Sequence, residues 1–137
     1  MKFRMHHAAI SVKSMQESID YYAQFGFKDN EYRYKDPEGD FEIAQLKLAD
    51  SFLELFWFRN QQEAPETASA LSTDLPRIGA KHFALQVEDI EDTKTWVEER
   101  GLATQVEVME GKTGVRYFFI KDINGILFEF IEDHREL

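Results

Sequence analysis

The sequence predicts an α+β fold built from one module used twice, each copy reading strand, helix and then three strands. The main observation is internal repetition. The stretch His7 to Val12 (His-Ala-Ala-Ile-Ser-Val) returns 75 positions later as His82 to Val87 (His-Phe-Ala-Leu-Gln-Val). The same shift carries Ser14 onto Asp89, Glu17 onto Asp92, Gly26 onto Gly101 and Glu54 onto Glu129. One fixed offset fitting so many landmarks marks a duplicated supersecondary unit. The second observation is length: 137 residues make one ordinary domain over 1–137, large enough to bury a core. The expected division is module one at 4–58, a connector at 59–80 and module two at 80–133.

The elements follow in order. Alternating apolar residues make His7–Val12 and His82–Val87 strands. Ser14 with Glu17 is a capping-box signature, and Asp89 with Asp92 repeats the placement of a side-chain oxygen where free helix amides need one. Apolar Met15, Ile19, Tyr22 and Ala23 then recur at helical spacing, as do Ile90, Trp96 and Val97. Gly26 and Gly101 suit left-handed caps, so the helices should end near Gln24 and Arg100. Beyond each glycine, turn signals cut the chain into three strands: Asp36–Gly39 and Ala49-Asp50 in the first half, Glu110–Lys112 and Asp122–Gly125 in the second. The polar connector, with Pro65 and Pro76, admits a linker, a short helix or a lid over a cavity.

Composition excludes several functions. Nineteen aromatic residues (12 Phe, 5 Tyr, 2 Trp) in a chain that is 43% hydrophobic exclude a disordered tail. The absence of cysteine excludes disulfides, thiolate nucleophiles and Cys-ligated metals. A net charge of −10 opposes nucleic-acid phosphates and anionic lipid surfaces. The N-terminal residues lack the long apolar region of a signal peptide, and no run approaches the roughly 20 apolar residues that span a bilayer. The expected protein is cytoplasmic and acts on a small molecule, with no nucleic-acid or membrane partner.

Strand periodicity then gathers the candidate site. Side chains alternate across a strand, so His7, Ala9 and Ser11 share one face and His82, Ala84 and Gln86 share the equivalent face. Glu54 and Glu129 each lie in an otherwise apolar strand, where an unpartnered carboxylate costs several kcal/mol or shifts its pKa. Each glutamate follows its histidine by 47 residues, so each half supplies one His and one Glu from matching places. Together His7, Glu54, His82 and Glu129 form a His2Glu2 set suited to nickel, cobalt, zinc, iron or manganese, with two octahedral positions left open. Read singly, each position is also compatible with a satisfied core or edge histidine or a solvent-facing glutamate. His6 and His134 have no repeat partner and read as surface residues. A two-residue Ala49-Asp50 hairpin opposes Gln45 to Glu54 and puts Phe41, Ile43 and Gln45 on the metal side. The corresponding face of the second half is expected to hold Arg116, Phe118 and Ile120. Gln45, Arg116 and Phe118 are therefore the expected substrate contacts, with Arg116 as a fixed guanidinium for a carboxylate or phosphate. Phe41, Phe56 and Phe118 are equally readable as core packing.

These residues resemble the vicinal oxygen chelate superfamily, the glyoxalase, bleomycin-resistance and extradiol-dioxygenase group. The resemblance rests on His7–Val12 followed by Tyr21-Tyr22 and Gly26-Phe27, on Phe52-Leu-Glu54-Leu-Phe56, on His82–Asp89, and on Asp122-Ile-Asn-Gly125 leading to Glu129. It covers nearly the whole chain and implies paired βαβββ modules whose sheets curl into a cleft. The ligand order His7, Glu54, His82, Glu129 looks like bacterial glyoxalase I, which implies a metal-stabilised enediolate and a glutamate that moves a proton between adjacent carbons. By position Glu129 is the expected base and Glu54 the alternative. The resemblance also implies a homodimer, with the modules paired within one chain or exchanged between two. A glutathione-anchoring set is not recognisable, so the resemblance does not single out lactoylglutathione lyase activity. The functional expectation is a metal-dependent lyase or isomerase acting on vicinal oxygens. The alternatives are a non-haem iron dioxygenase, which uses two His and one carboxylate, and a drug-binding protein of the bleomycin-resistance type.

Overall fold

A computed structural model describes residues 1–136. The chain divides into two compact units, Met1–Ala64 and the residues from Pro65 onward. The first contains β1 (His7–Ser11), α1 (Met15–Ala23), β2 (Lys28–Lys35), β3 (Phe41–Leu48) and β4 (Ser51–Phe58). The second contains a 3-10 turn (Glu66–Ser69), α2 (Leu71–Asp74), β5 (Ala84–Val87), α3 (Ile90–Glu99), β6 (Met109–Glu110), β7 (Arg116–Lys121) and β8 (Leu127–Glu132). Their four-stranded sheets are ordered β1-β4-β3-β2 and β5-β8-β7-β6. In each, the first strand runs parallel to the last and the other pairs are antiparallel. The fold class is thus α+β with two βαβββ modules, as the repeat predicts.

Local chemistry sets the helix limits. Ser14 Oγ accepts the Glu17 N–H at 3.4 Å and Asp89 Oδ1 accepts the Asp92 N–H at 2.9 Å, satisfying first-turn donors that have no helical partner. The C-caps fall at Gln24 and Arg100. Gly26 and Gly101 follow with φ of +96° and +70°, a region that strains any residue with a Cβ.

One face of each sheet forms a core with its helix. In module one Ala44, Leu46, Leu53 and Leu55 lie buried with Val12, Ile19 and Tyr22. In module two the equivalent layer is more aromatic: Phe118, Phe128 and Phe130 with Ile90, Val97 and Ile120. Fully burying each such side chain is worth about 1.5–3 kcal/mol, so the helix-side face fixes register and leaves the opposite face for function.

The connector is two short helical turns rather than bare linker. Asp74, 7% exposed, ties it down through ion pairs to Arg77 at 3.0 Å and Lys81 at 3.7 Å. No helix among the described residues is long and apolar enough to cross a membrane.

Candidate functional site

In module one Ala9 stands opposite Glu54 across the parallel β1–β4 pair, and His7, two residues earlier, shares its face. The His7 Nε2 lies 3.4 Å from Glu54 Oε1, with the two side chains 36% and 14% exposed. Across the antiparallel β3–β4 pair Gln45 opposes Glu54, and its amide donates to Glu54 Oε2 at 2.7 Å. One carboxylate oxygen is therefore fixed by an amide while the other faces the imidazole. Half-buried Phe41 and Phe56 continue this face: Phe41 stacks on Phe58 with centroids 5.7 Å apart, and Phe56 stacks on Phe58 at 6.5 Å.

Module two repeats the plan with different neighbours. Ala84 opposes Glu129, and His82 again lies two residues earlier. It stands just ahead of β5, which begins at Ala84 rather than at His82 as the repeat predicts. The Glu129 N–H donates to the Phe83 carbonyl at 3.1 Å, which fixes the backbone between His82 and Glu129. Opposite Glu129 on β7 is Phe119, whose ring meets the His82 ring edge-on with centroids 4.6 Å apart. Burial pushes the Glu129 carboxyl above the usual carboxylate range, and the charge of nearby His82 partly opposes that rise.

The expected face of Arg116 and Phe118 is corrected. Arg116 opposes Glu132 and Phe118 opposes Phe130, so both lie on the side of β7 away from Glu129. Phe118, 1% exposed, is core, with its ring 5.0 Å from that of Phe130. Arg116 is engaged by three carboxylates, Glu91 at 2.7 Å, Glu110 at 3.1 Å and Glu132 at 3.9 Å, and this acidic cradle raises its pKa. The physical reason is the turn. The first hairpin closes between Leu48 and Ser51, whereas the second spans residues 122–126, because Asp122 Oδ1 accepts the N–H groups of Asn124 at 2.8 Å and Ile126 at 2.9 Å. The 75-residue offset that holds on β8 slips to 74 on β7 (Gln45 to Phe119), and a one-residue slip moves every side chain to the other face.

His6 is exposed, as a surface residue should be, and also makes a contact that the repeat does not suggest. Its Nδ1 lies 2.9 Å from His7 Nδ1. The only sequence signal was the His6-His7 dipeptide itself, which the repeat does not reproduce. His134 lies beside Glu132 at 3.5 Å and remains on the surface.

The structure brings His7 to Glu54, and His82 near Glu129. Among the described residues no group of three or more His, Asp or Glu side chains is gathered to hold an ion. The donors nevertheless suit a borderline divalent cation: an imidazole nitrogen beside a carboxylate oxygen, repeated on the same face of each module.

Comparison with known proteins agrees with this architecture. Residues 4–130 match the family described as the Glyoxalase/Bleomycin resistance protein/Dioxygenase superfamily. A protein of Bacillus subtilis (strain 168) named as uncharacterized protein YwkD is 26% identical over 133 residues, 93% of this chain and 95% of that one. The crystal structure of a glyoxalase family protein from Enterococcus faecalis superposes with a TM-score of 0.75 at 27% identity, covering 94% of this chain and 97% of that one. A lactoylglutathione lyase from Agrobacterium tumefaciens shares the fold with a TM-score of 0.63 at 20% identity, over 94% of this chain and 92% of that one.

Proposed function

Because the chain belongs to the glyoxalase, bleomycin-resistance and dioxygenase superfamily, a group that includes glyoxalase enzymes, we propose that it is a metal-dependent lyase or isomerase acting on a small substrate with vicinal oxygens. The observation that carries the reading is the duplicated pair, His7 with Glu54 and His82 with Glu129, on the same face of two like sheets. In this reading the four side chains are the ligands of one divalent ion, and the protein works as a cytoplasmic homodimer. The ion, whether nickel, zinc, cobalt, manganese or iron, supplies Lewis-acid stabilisation of charge developing on a substrate oxygen.

The chain's own residues divide the remaining work. Glu129 is the base: Phe119 stands opposite it where Gln45 stands opposite Glu54, so no cross-strand amide pins its carboxylate and it is the glutamate able to accept and return a proton. It takes the proton from one substrate carbon and delivers it to the neighbour. Glu54, gripped by the Gln45 amide at 2.7 Å, stays in place as a ligand, so Gln45 acts on Glu54 rather than on substrate. The aromatic face of Phe41, Phe56 and Phe58 gives an apolar flank for the reacting carbons.

The test joins metal content to proton exchange. Wild-type protein should hold about one divalent ion per chain and exchange a substrate C–H with solvent deuterium, assayed on small 2-hydroxy ketones and hemithioacetals. The variants His7→Ala and Glu129→Ala should lose both. Unchanged metal content in both would overturn the reading.

A further inference from the structure

His6 is held through its backbone and through its ring. Its backbone carbonyl accepts the Phe52 N–H at 3.0 Å. Its ring stacks on Phe52 with centroids 5.1 Å apart and planes at 27°. It meets the His7 ring at 88°, also 5.1 Å between centroids, with the two Nδ1 atoms 2.9 Å apart. Two imidazole nitrogens at that distance form a hydrogen bond only if one carries a proton and the other a lone pair.

The opposite nitrogen of His7 decides which way this runs when a cation is present. Nε2 is the atom that faces Glu54. A metal ligand must offer a lone pair, so a His7 that binds through Nε2 carries its proton on Nδ1, and that proton needs an acceptor. The ring atom within hydrogen-bond distance of it is His6 Nδ1. We propose that His6 is a positioning residue for the metal site, accepting the His7 Nδ1–H and so fixing the His7 tautomer with Nε2 free for the ion. The inference rests on the metal reading above.

His6 makes two separable contacts, and two substitutions separate them. His6→Phe keeps a ring to stack on Phe52 and removes the acceptor. His6→Asn removes the ring and keeps an acceptor, because the side-chain oxygen of Asn sits where Nδ1 does. Zinc serves as the probe, titrated into metal-free protein by calorimetry. Loss of an orienting partner typically weakens metal affinity about 10- to 100-fold, so His6→Phe should fall by about that factor and His6→Asn should recover most of it. A role confined to packing predicts the reverse order, and zinc affinity in His6→Phe equal to wild type overturns the proposal.

A second readout does not depend on loading. At about pH 8, above the ordinary histidine range, two-bond proton–nitrogen NMR spectra of metal-free protein report where the His7 ring proton resides. His7 nitrogen shifts that move in His6→Phe and return toward wild type in His6→Asn support the contact; shifts identical in all three proteins overturn it. Wild-type protein that takes up no zinc overturns the metal reading and the proposed positioning role together. If zinc binds but His6→Phe binds it as wild type does, only the His6 inference fails.

Discussion

The two modules share a plan and differ at the position facing the glutamate. Opposite Glu54 stands Gln45, whose amide holds one carboxylate oxygen at 2.7 Å. Opposite Glu129 stands Phe119, whose ring packs edge-on against His82. An amide donor fixes and solvates a carboxylate, whereas an aromatic neighbour contributes apolar bulk and leaves the charge less well compensated. The same residue type thus receives opposite treatment, and under the proposed function this is a division of labour, with a held glutamate in module one and the base in module two. Duplication supplies the symmetric framework, and the residue brought opposite each glutamate, Gln45 or Phe119, supplies the asymmetry.

The largest contrast to probe lies beneath that face. Module one fills its core with Leu46, Leu53 and Leu55, module two with Phe118, Phe128 and Phe130. Leu55→Ala should destabilise by about 2–5 kcal/mol and Phe128→Ala by about 3–5 kcal/mol, the spread reflecting how far each site closes over the lost volume. Denaturant unfolding followed by tryptophan fluorescence in module one (Trp57) and module two (Trp96) reads both. If each variant broadens or splits the transition by lowering only its own module's signal, the two units unfold separately; coincident transitions in both signals would show one cooperative block.

Much of this was legible in the residues. The offset of 75 gave the modules, the caps at Ser14 and Asp89 gave the helix starts, and the two-residue hairpin gave Gln45 opposite Glu54. These are local signals whose consequences reach only a few residues. The face of β7 was not legible, because it depends on how many residues the second hairpin spends in its turn. Asp122 decides that number through bonds to Asn124 and Ile126. Arg116 therefore stood out as a guanidinium near the site, while its actual partners, Glu91, Glu110 and Glu132, come from three separate elements that sequence spacing does not align. The contact between His6 and His7 was not legible for a related reason: it accompanies the stacking of His6 on Phe52, which strand alternation does not reveal.

The contrast at the glutamates is tested by changing each partner. Gln45→Leu removes the donor on Glu54 and should lower zinc affinity about 10-fold, measured by competition with a chelating dye. Phe119→Gln places an amide opposite Glu129 and should bring its carboxyl back toward the ordinary range. The rate of solvent-deuterium exchange should then fall by about 10- to 100-fold, with metal affinity held at or above wild type. Faster exchange in Phe119→Gln would remove Glu129 from the role of base.

The smallest effect is the pH dependence of the metal-free protein, and its sign follows from the same asymmetry. The folded Glu129 carboxyl titrates above its ordinary value of 4.5, chiefly because burial penalises the charged form. Below that value the carboxyl is protonated in both folded and unfolded chains, and the protonated group carries no charge penalty. As pH rises, the unfolded chain releases the proton first, so this contribution to stability declines until the folded carboxyl has also ionised. Between about pH 4.5 and neutrality, wild-type Tm in EDTA should therefore carry a falling component that Glu129→Gln lacks. Glu129→Gln should match or exceed wild type near neutrality, because it replaces a poorly solvated charge with a neutral amide. In the metal reading a bound cation inverts the balance, since it stabilises the ionised carboxylate, and saturating zinc should turn this Glu129 component upward with pH, a change that Glu129→Gln lacks. A metal-free Tm that rises relative to the variant over that interval would mean that Glu129 is stabilised as an anion, which would leave module two's glutamate as firmly held as module one's.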